Sequence, residues 1–420
     1  MFMKKIKALL AVLLTMAILA TTVVFASAET SGTDLKFDEN GNFRIMHITD
    51  THFIDNPFDE AIEFIEKALD EFKPNLVVFG GDNIKGWFST SMQLGVKKAI
   101  NKLVTPLEKR NIPFTFVYGN HDWQTYLCPK ELQNKFYAEY SNCILPNGPQ
   151  NLIHTGIGNV LVKDSTGTKN IFNIWLFDSG TILKGDNFKF VENVSPAQVL
   201  WYNVTCKKLA KENGGVIPAI SFSHFPANEV VKVFEENKNG IICDDGKAYA
   251  LKAGFTDGIT NGVAGRENTR RDTFFNDSSE IPTVNTGLYA SWVRNGDVFA
   301  AFFGHAHEND FAGITEDNIA FCATASAGGF DIAARYNKGS EVIEARGLRI
   351  IDINEKALLS GGKNINALTT FSVYYTDYFD NSIEKYPVKD TSRAEHSFGE
   401  WLQIEFGYLF DFISDILKIK

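Results

Sequence analysis

Five short blocks hold the residues best able to bind metal or move protons: Asp50-Thr51-His52, Gly81-Asp82-Asn83, Gly119-Asn120-His121-Asp122, Ser223-His224-Phe225-Pro226 and Gly304-His305-Ala306-His307. They contain five of the eight histidines, and each block follows an apolar run. A lone His-X-His pair is weak evidence, because alternation along a strand puts two rings on one face by chance. Five blocks placed in this way form a constellation. Carboxylate, amide oxygen and imidazole together suit Mn, Fe, Zn and similar borderline divalent ions. Two such ions close together need at least one shared anion to offset their repulsion.

The elements that must position these blocks alternate. "FRIMHITD" (43–50), "NLVVFGGD" (75–82) and "PFTFVYGNHD" (113–122) are apolar runs of strand length. Between the first two, Phe58, Ile62, Ile65, Leu69 and Phe72 recur at helical spacing, and a second helical segment is expected over 91–109. This strand and helix rhythm belongs to layered α/β folds, where ligands bind at the carboxyl ends of the strands. Further on, "GNVLVK" and "IFNIWLFD" flank a turn and predict a hairpin. "VIPAISFSH" (216–224) and "GDVFAAFFGHAH" (296–307) are further strands. Residues 228–285 are too polar and too long for a simple connection and are expected to be an insertion near the site. Beyond 311 the chain is again strand-rich, as a second sheet packed on the first would require.

The chain has 420 residues, 44% hydrophobic and 22% charged, which allows one large α/β domain with a sizeable core. Residues 1–28 place Lys4, Lys5 and Lys7 ahead of an apolar run and Ala26-Ser27-Ala28 behind it, the layout of a secretory signal peptide. An uncleaved anchor is the competing reading, and on either one the body is exported. Removing this segment takes away three lysines and no acid, moving the net charge from −10 to −13. So acidic a chain is a poor binder of the nucleic-acid backbone. The five cysteines include no C-x-x-C pair; Cys128 and Cys143 are the expected local disulfide, which leaves at least one thiol free.

In order and in content the five blocks resemble the calcineurin-like metallophosphoesterase superfamily, whose pattern is D-x-H, G-D, G-N-H-D/E, H and G-H-x-H. The resemblance spans residues 42–355. "WLFDSG" (175–180), "AQVLWY" (197–202) and "GHAHENDF" (304–311) are similar to an exported, purple-acid-phosphatase-like branch. It implies a four-layer α/β/β/α sandwich of two mixed sheets flanked by helices. It also implies two divalent ions, one held by Asp50, His52 and His307 and the other by Asn120, His224 and His305, with Asp82 shared. His121 is implied as the group that protonates the leaving oxygen or stabilises the transition state, with Asp122 orienting its ring. Purple acid phosphatases proper carry a tyrosine three positions after the aspartate of the second block. Here that residue is Lys85, which argues against a ferric centre and for Mn, Fe(II) or Zn, with Mg also allowed.

The expected activity is therefore hydrolysis of phosphate monoesters by metal-bound hydroxide, with a phosphorylated small molecule as substrate. The alternatives are a phosphodiesterase acting on nucleotides, phospholipid headgroups or envelope polymers, and an exported phosphate- or metal-binding protein without catalysis. The expected division is signal peptide 1–28, linker 29–41, catalytic domain 42–355 and extension 356–420. In the extension, Leu402, Phe406, Leu409, Ile413 and Ile416 have helical spacing, and an amphipathic helix docked on the body is expected. Contact with a membrane surface or a partner is the other use of such a helix, and Glu405, Asp411 and Asp415 count against anionic lipid. His47 is expected in the core, and His154 and His396 on the surface. Asp178 is expected to be structural, Arg266, Arg270 and Arg271 to be a solvated run or a phosphate clamp, and Asn309 and Asp310 to support the histidine pair.

Overall fold

The computed structural model describes residues 34–55, 59–86, 90, 92–149, 155–185, 188–242, 247–252, 281–307, 309–328, 335–338, 341–344 and 346–379. The strands are β1 (Asn42–Ile48), β2 (Leu76–Gly80), β3 (Phe114–Val117), β4 (Gly158–Lys163), β5 (Asn170–Leu176), β6 (Ile182–Gly185), β7 (Phe188–Val191), β8 (Ala219–Phe222), β9 (Phe234–Ile242), β10 (Ala248–Leu251), β11 (Val298–Phe303), β12 (Phe311–Ile314), β13 (Ala320–Ala323), β14 (Arg335–Lys338), β15 (Glu341–Glu344), β16 (Gly347–Asn354) and β17 (Leu368–Tyr374). The α-helices are α1 (Asp59–Phe72), α2 (Gln93–Glu108), α3 (Lys130–Tyr137), α4 (Pro196–Asn213), α5 (Leu288–Asn295) and α6 (Glu355–Leu359).

Two sheets carry the fold, with strand orders β17-β16-β1-β2-β3 and β12-β13-β11-β8-β5-β4. Within them β1-β2-β3 and β5-β8-β11-β13 run parallel. Their side chains alternate between layers as the pleat requires. In the first sheet Phe43, Ile45, Leu76 and Val78 meet Phe172, Ile174, Ile220 and Phe302 of the second to form the middle core. Met46, Ile48, Val77 and Phe79 face the opposite way, onto Phe64, Ile65 and Leu69 of α1 and Ile100 and Leu103 of α2. On the far side of the second sheet, Trp175, Ala301, Phe303 and Phe321 pack against Val199 and Tyr202 of α4 and Trp292 of α5. The order of layers is α/β/β/α.

The helices form for local reasons. α1 buries Ala61, Phe64, Ile65, Ala68 and Leu69 on one stripe and opens with Asp59 and Glu60, acids that favour the positive end of the helix dipole. α4 starts at Ser195, whose side chain accepts from the Gln198 backbone N–H, and ends at Gly214 in the left-handed conformation.

Three expectations need correction. The strands beyond 311 do not form the second sheet alone: β12 and β13 extend the sheet of β11, whereas β16 and β17 join the first sheet, β16 antiparallel to β1. The fold also exceeds 42–355 at both ends. Leu35 and Phe37 are buried in the middle core and Lys36 bridges to Lys163, so 35–37 is no linker, and β17 lies past 355. Cys128 and Cys143 are separate buried thiols, not a disulfide. The 158–176 hairpin is present as β4 and β5. Of the 228–285 insertion, residues 228–242, 247–252 and 281–285 are described, and they include a 3-10 turn (Asn228–Val233) and the antiparallel pair β9 and β10. The signal segment 1–28, His154, Cys243, Arg266, Arg270, Arg271, His396 and the helix expected over 402–416 lie outside the described residues. Among the described residues no helix is long and apolar enough to cross a membrane.

Candidate metal centre

All five blocks leave the carboxyl ends of parallel strands. Asp50 and His52 follow β1, Asp82 follows β2, Asn120 and His121 follow β3, His224 follows β8, and His305 and His307 follow β11. Parallel pairing continues past the strand ends, with Asp50 N–H donating to Gly81 O (3.0 Å) and His52 N–H to Asp82 O (2.9 Å). Asp50, His52, Asp82 and His305 have φ of 52°, 48°, 48° and 70°. Residues with a Cβ rarely adopt this left-handed region, and each such residue costs about 1–3 kcal/mol, held by the structure around it.

Each anchoring group uses one polar atom to fix itself and presents the other. Asp50 Oδ2 accepts from Thr49 Oγ1 (2.7 Å) and His305 N–H (3.0 Å), while its Oδ1 has no hydrogen bond. Asp82 Oδ1 accepts from His121 N–H (2.6 Å), while its Oδ2 has none. His224 fixes its ring through Nδ1 to Gly80 O (3.1 Å), leaving Nε2 without a hydrogen bond. Asn120 Oδ1 is likewise buried without one.

The presented atoms crowd together. Asp82 Oδ2 lies 3.2 Å from His224 Nε2 and 3.7 Å from His52 Nε2. Asp50 Oδ1 lies 3.2 Å from His307 Nε2 and 3.8 Å from His224 Nε2. Ligand atoms of Asp50, His52, Asp82 and His307 all fall within 4.8 Å of one another, and so do those of Asp82, His224 and His305. Asp82 belongs to both groups. Buried polar atoms left unpaired are costly. Those on Asp50, Asp82, Asn120 and His224 are the oxygen and imidazole donors that a pair of divalent ions takes, so the residues fit two metals with one shared carboxylate.

The electrostatics agree with this donor set. Burial opposes the Asp50 charge, yet the imidazoles of His224, His307 and His52 hold its carboxyl well below the usual range. Asp82 is lowered in the same way by His224 and His121, against its burial. Burial pushes His52 down to about 4 and His305 down to about 3, keeping these rings neutral as ligation demands. His224 is the exception: against its burial, the carboxylates of Asp82 and Asp50 raise it to about 9, so its ring must release a proton when a metal binds.

His121 stands at the edge of this cluster, with Nε2 3.9 Å from Asp82 Oδ2 and its ring centroid 4.7 Å from that of His52. The expected role of Asp122 needs correction. Its carboxylate accepts from the backbone N–H groups of Gly119 (2.8 Å), Ile84 (2.9 Å) and Asn83 (3.4 Å), tying the second and third blocks together. Burial and the nearby Asp82 charge push its carboxyl up to about 7. The ring of His121 is hydrogen-bonded instead to Gln124, Nδ1 to Oε1 at 2.9 Å.

The glycines act mainly by allowing close approach. Gly81 does sit at φ +93°, but a Cβ on Gly119 would lie 2.2 Å from Asp82 Oδ1, and one on Gly304 would lie 2.3 Å from Asp50 Oδ2. Asp178 is buried and paired with Lys130 Nζ at 3.0 Å, a structural role. Next to it, Ser179 Oγ accepts from Phe225 N–H, beside His224. Asp310 accepts from Arg349, Ser372 and Tyr374 and so braces the strands behind the histidine pair. Asn309 is buried next to it. His47 is buried in the first strand, bonded to Thr324 and packed on Phe222 and Phe302. Thr49, Gln124 and Lys130 escaped the sequence reading. Only Thr49 had a signal, as the neighbour of a ligand.

A family model described as calcineurin-like phosphoesterase matches residues 43–309. The chain is 24% identical over 380 residues to a protein of Arabidopsis thaliana named "Probable inactive purple acid phosphatase 29", covering 83% of this chain and 86% of that one. It is 35% identical over 109 residues to "Phosphatase DCR2" of Saccharomyces cerevisiae, covering 22% of this chain and 18% of that one. Among solved structures, a dimetal phosphatase from Danio rerio aligns with a TM-score of 0.46 at 10% identity, over 79% of this chain and 99% of that one.

Proposed function

The chain belongs to the calcineurin-like phosphoesterase family, and from that premise we propose that it hydrolyses phosphate monoesters of small molecules with the help of two divalent ions. The observation that carries this reading is the set of presented atoms, Asp50 Oδ1, Asp82 Oδ2, Asn120 Oδ1 and His224 Nε2, all buried and without hydrogen bonds beside the histidine rings. Asp50, His52 and His307 would hold one ion, and Asn120, His224 and His305 the other, with Asp82 between them. Such a pair supplies Lewis-acid polarisation of phosphoryl oxygens and makes water acidic near neutral pH. Asp82 provides the shared negative charge that lets two cations sit together. Its second oxygen is locked by the His121 backbone, which holds the shared carboxylate and the His121 ring in a fixed relation. His121 is the residue placed to donate a proton to the departing oxygen. A positioned acid of this kind contributes about 10²–10⁴-fold.

The name of the Arabidopsis thaliana relative, a probable inactive phosphatase, favours a second reading, in which the site binds without turnover. The ligand set and His121 support hydrolysis, since a binder has no use for a proton donor. We further place the action of the protein outside the cytoplasm, on the layout of residues 1–28. The test is hydrolysis of phenyl phosphate and of a bis-aryl diester by the full chain, metal-stripped and resupplied with Mn, Fe(II), Zn or Mg. Faster diester turnover would reassign the substrate class. Stoichiometric metal binding with no turnover on either ester would move the chain to the non-catalytic reading.

A further inference from the structure

We infer that Gln124 is a positioning residue that holds the hydrogen of the His121 ring on Nδ1, so that Nε2 is the nitrogen presented to the leaving group. This rests on the reading of the site as a phosphoester hydrolase.

Two observations carry it. Gln124 Oε1, an atom that can only accept, lies 2.9 Å from His121 Nδ1, within the 3-10 turn Asp122–Gln124 whose last N–H donates to His121 O. The stem of Gln124 is itself fixed from outside that turn. A Cβ on Gly86 would lie 2.2 Å from Gln124 Cβ, so the chain leaving Asp82 presses against Gln124 at a point where only glycine fits. The orienting group is thus set by the same loop that carries the shared carboxylate.

An amide suits this task. It fixes the ring as a carboxylate would, yet adds no negative charge beside an anionic phosphoryl group. In the step that uses it, a water oxygen forms the new bond to phosphorus and the old phosphorus–oxygen bond breaks, its electron pair staying on the leaving oxygen. That oxygen takes the proton from Nε2 of the doubly protonated ring, and the hydrogens of the water stay on the phosphate product. The hydrogen on Nδ1 stays with Gln124, and the ring is left neutral.

The experiment compares the wild type with Gln124→Leu and Gln124→Glu on p-nitrophenyl, phenyl and an alkyl phosphate, with metal content measured alongside. In Gln124→Leu, kcat should fall about tenfold or more on phenyl and alkyl phosphate but less than about threefold on p-nitrophenyl phosphate, whose leaving group needs no proton. KM and metal content should hold in Gln124→Leu, and Gln124→Glu, which keeps the acceptor but adds a charge, should recover part of the lost rate. A loss equal across the three esters, or a Glu variant no better than Leu, would overturn the proposal. The tautomer is also read without turnover, from the His121 ring nitrogen shifts in the zinc-loaded protein: Nδ1–H in the wild type, mixed in Gln124→Leu. Nε2–H in the wild type would overturn the proposal even if the enzyme is active. Absent wild-type turnover with Nδ1–H present would sink the hydrolase reading alone.

Discussion

Asp82 Oδ2 stands 3.2 Å from His224 Nε2, and neither atom makes a hydrogen bond. Two polar atoms so close and yet unpaired are aimed at a common third point, and the carboxylate can reach it only because its other oxygen is held by the His121 N–H. Removing one charge from this position should therefore cost metal before it costs fold. In Asp82→Asn, metal content by mass spectrometry should fall below two ions per chain. Turnover should fall at least about a hundredfold, since even residues that merely support ligands cost 10–100-fold when lost.

Gly304 is a second sensitive point. A Cβ there would lie 2.1 Å from Thr49 Oγ1 and 2.3 Å from Asp50 Oδ2, so Gly304→Ala must displace the carboxylate that Thr49 orients. Overpacking of this kind costs about 1–3 kcal/mol. Urea unfolding should show that loss, and metal analysis should show the Asp50 ion depleted while the His224 ion remains.

The ligands were legible in the sequence because each sits two to four residues beyond an apolar strand, at the end where strand polarity gathers them. Other features were not. Asp122 adjoins His121, but adjacency within a 3-10 turn does not say which way a carboxylate faces, and three backbone N–H groups compete for it. Gln124 belongs to no motif and acts through a turn that periodicity does not reveal. Strand patterns likewise do not encode sheet order. β16 pairs with β1 across some 300 residues because their apolar faces complete the same two cores, which only the folded chain shows.

Arg349 joins the sheets behind the site. It lies on β16, donates to Ala323 O of the second sheet and pairs with Asp310, and both partners are almost wholly buried. Arg349→Ala leaves an uncompensated buried carboxylate, a change that costs about 3–5 kcal/mol. Denaturant unfolding of the metal-free protein measures it. A loss under about 1 kcal/mol would contradict the structural role given to Asp310.

Lys130 and Asp178 offer a cycle. Each single change, Lys130→Met or Asp178→Leu, strands one buried charge and should destabilise by about 3–5 kcal/mol. The double variant removes both charges and should be more stable than either single one. Additive losses would mean that the pair is not coupled as its 3.0 Å contact indicates.

The most direct test of the central claim is a titration of the metal-stripped full chain with Mn, Fe(II), Zn or Mg while phenyl phosphate hydrolysis is followed. The account predicts that turnover appears as the second ion binds and that Asp82→Asn shows none. Two ions bound per chain with no hydrolysis of phenyl phosphate or a diester would contradict it.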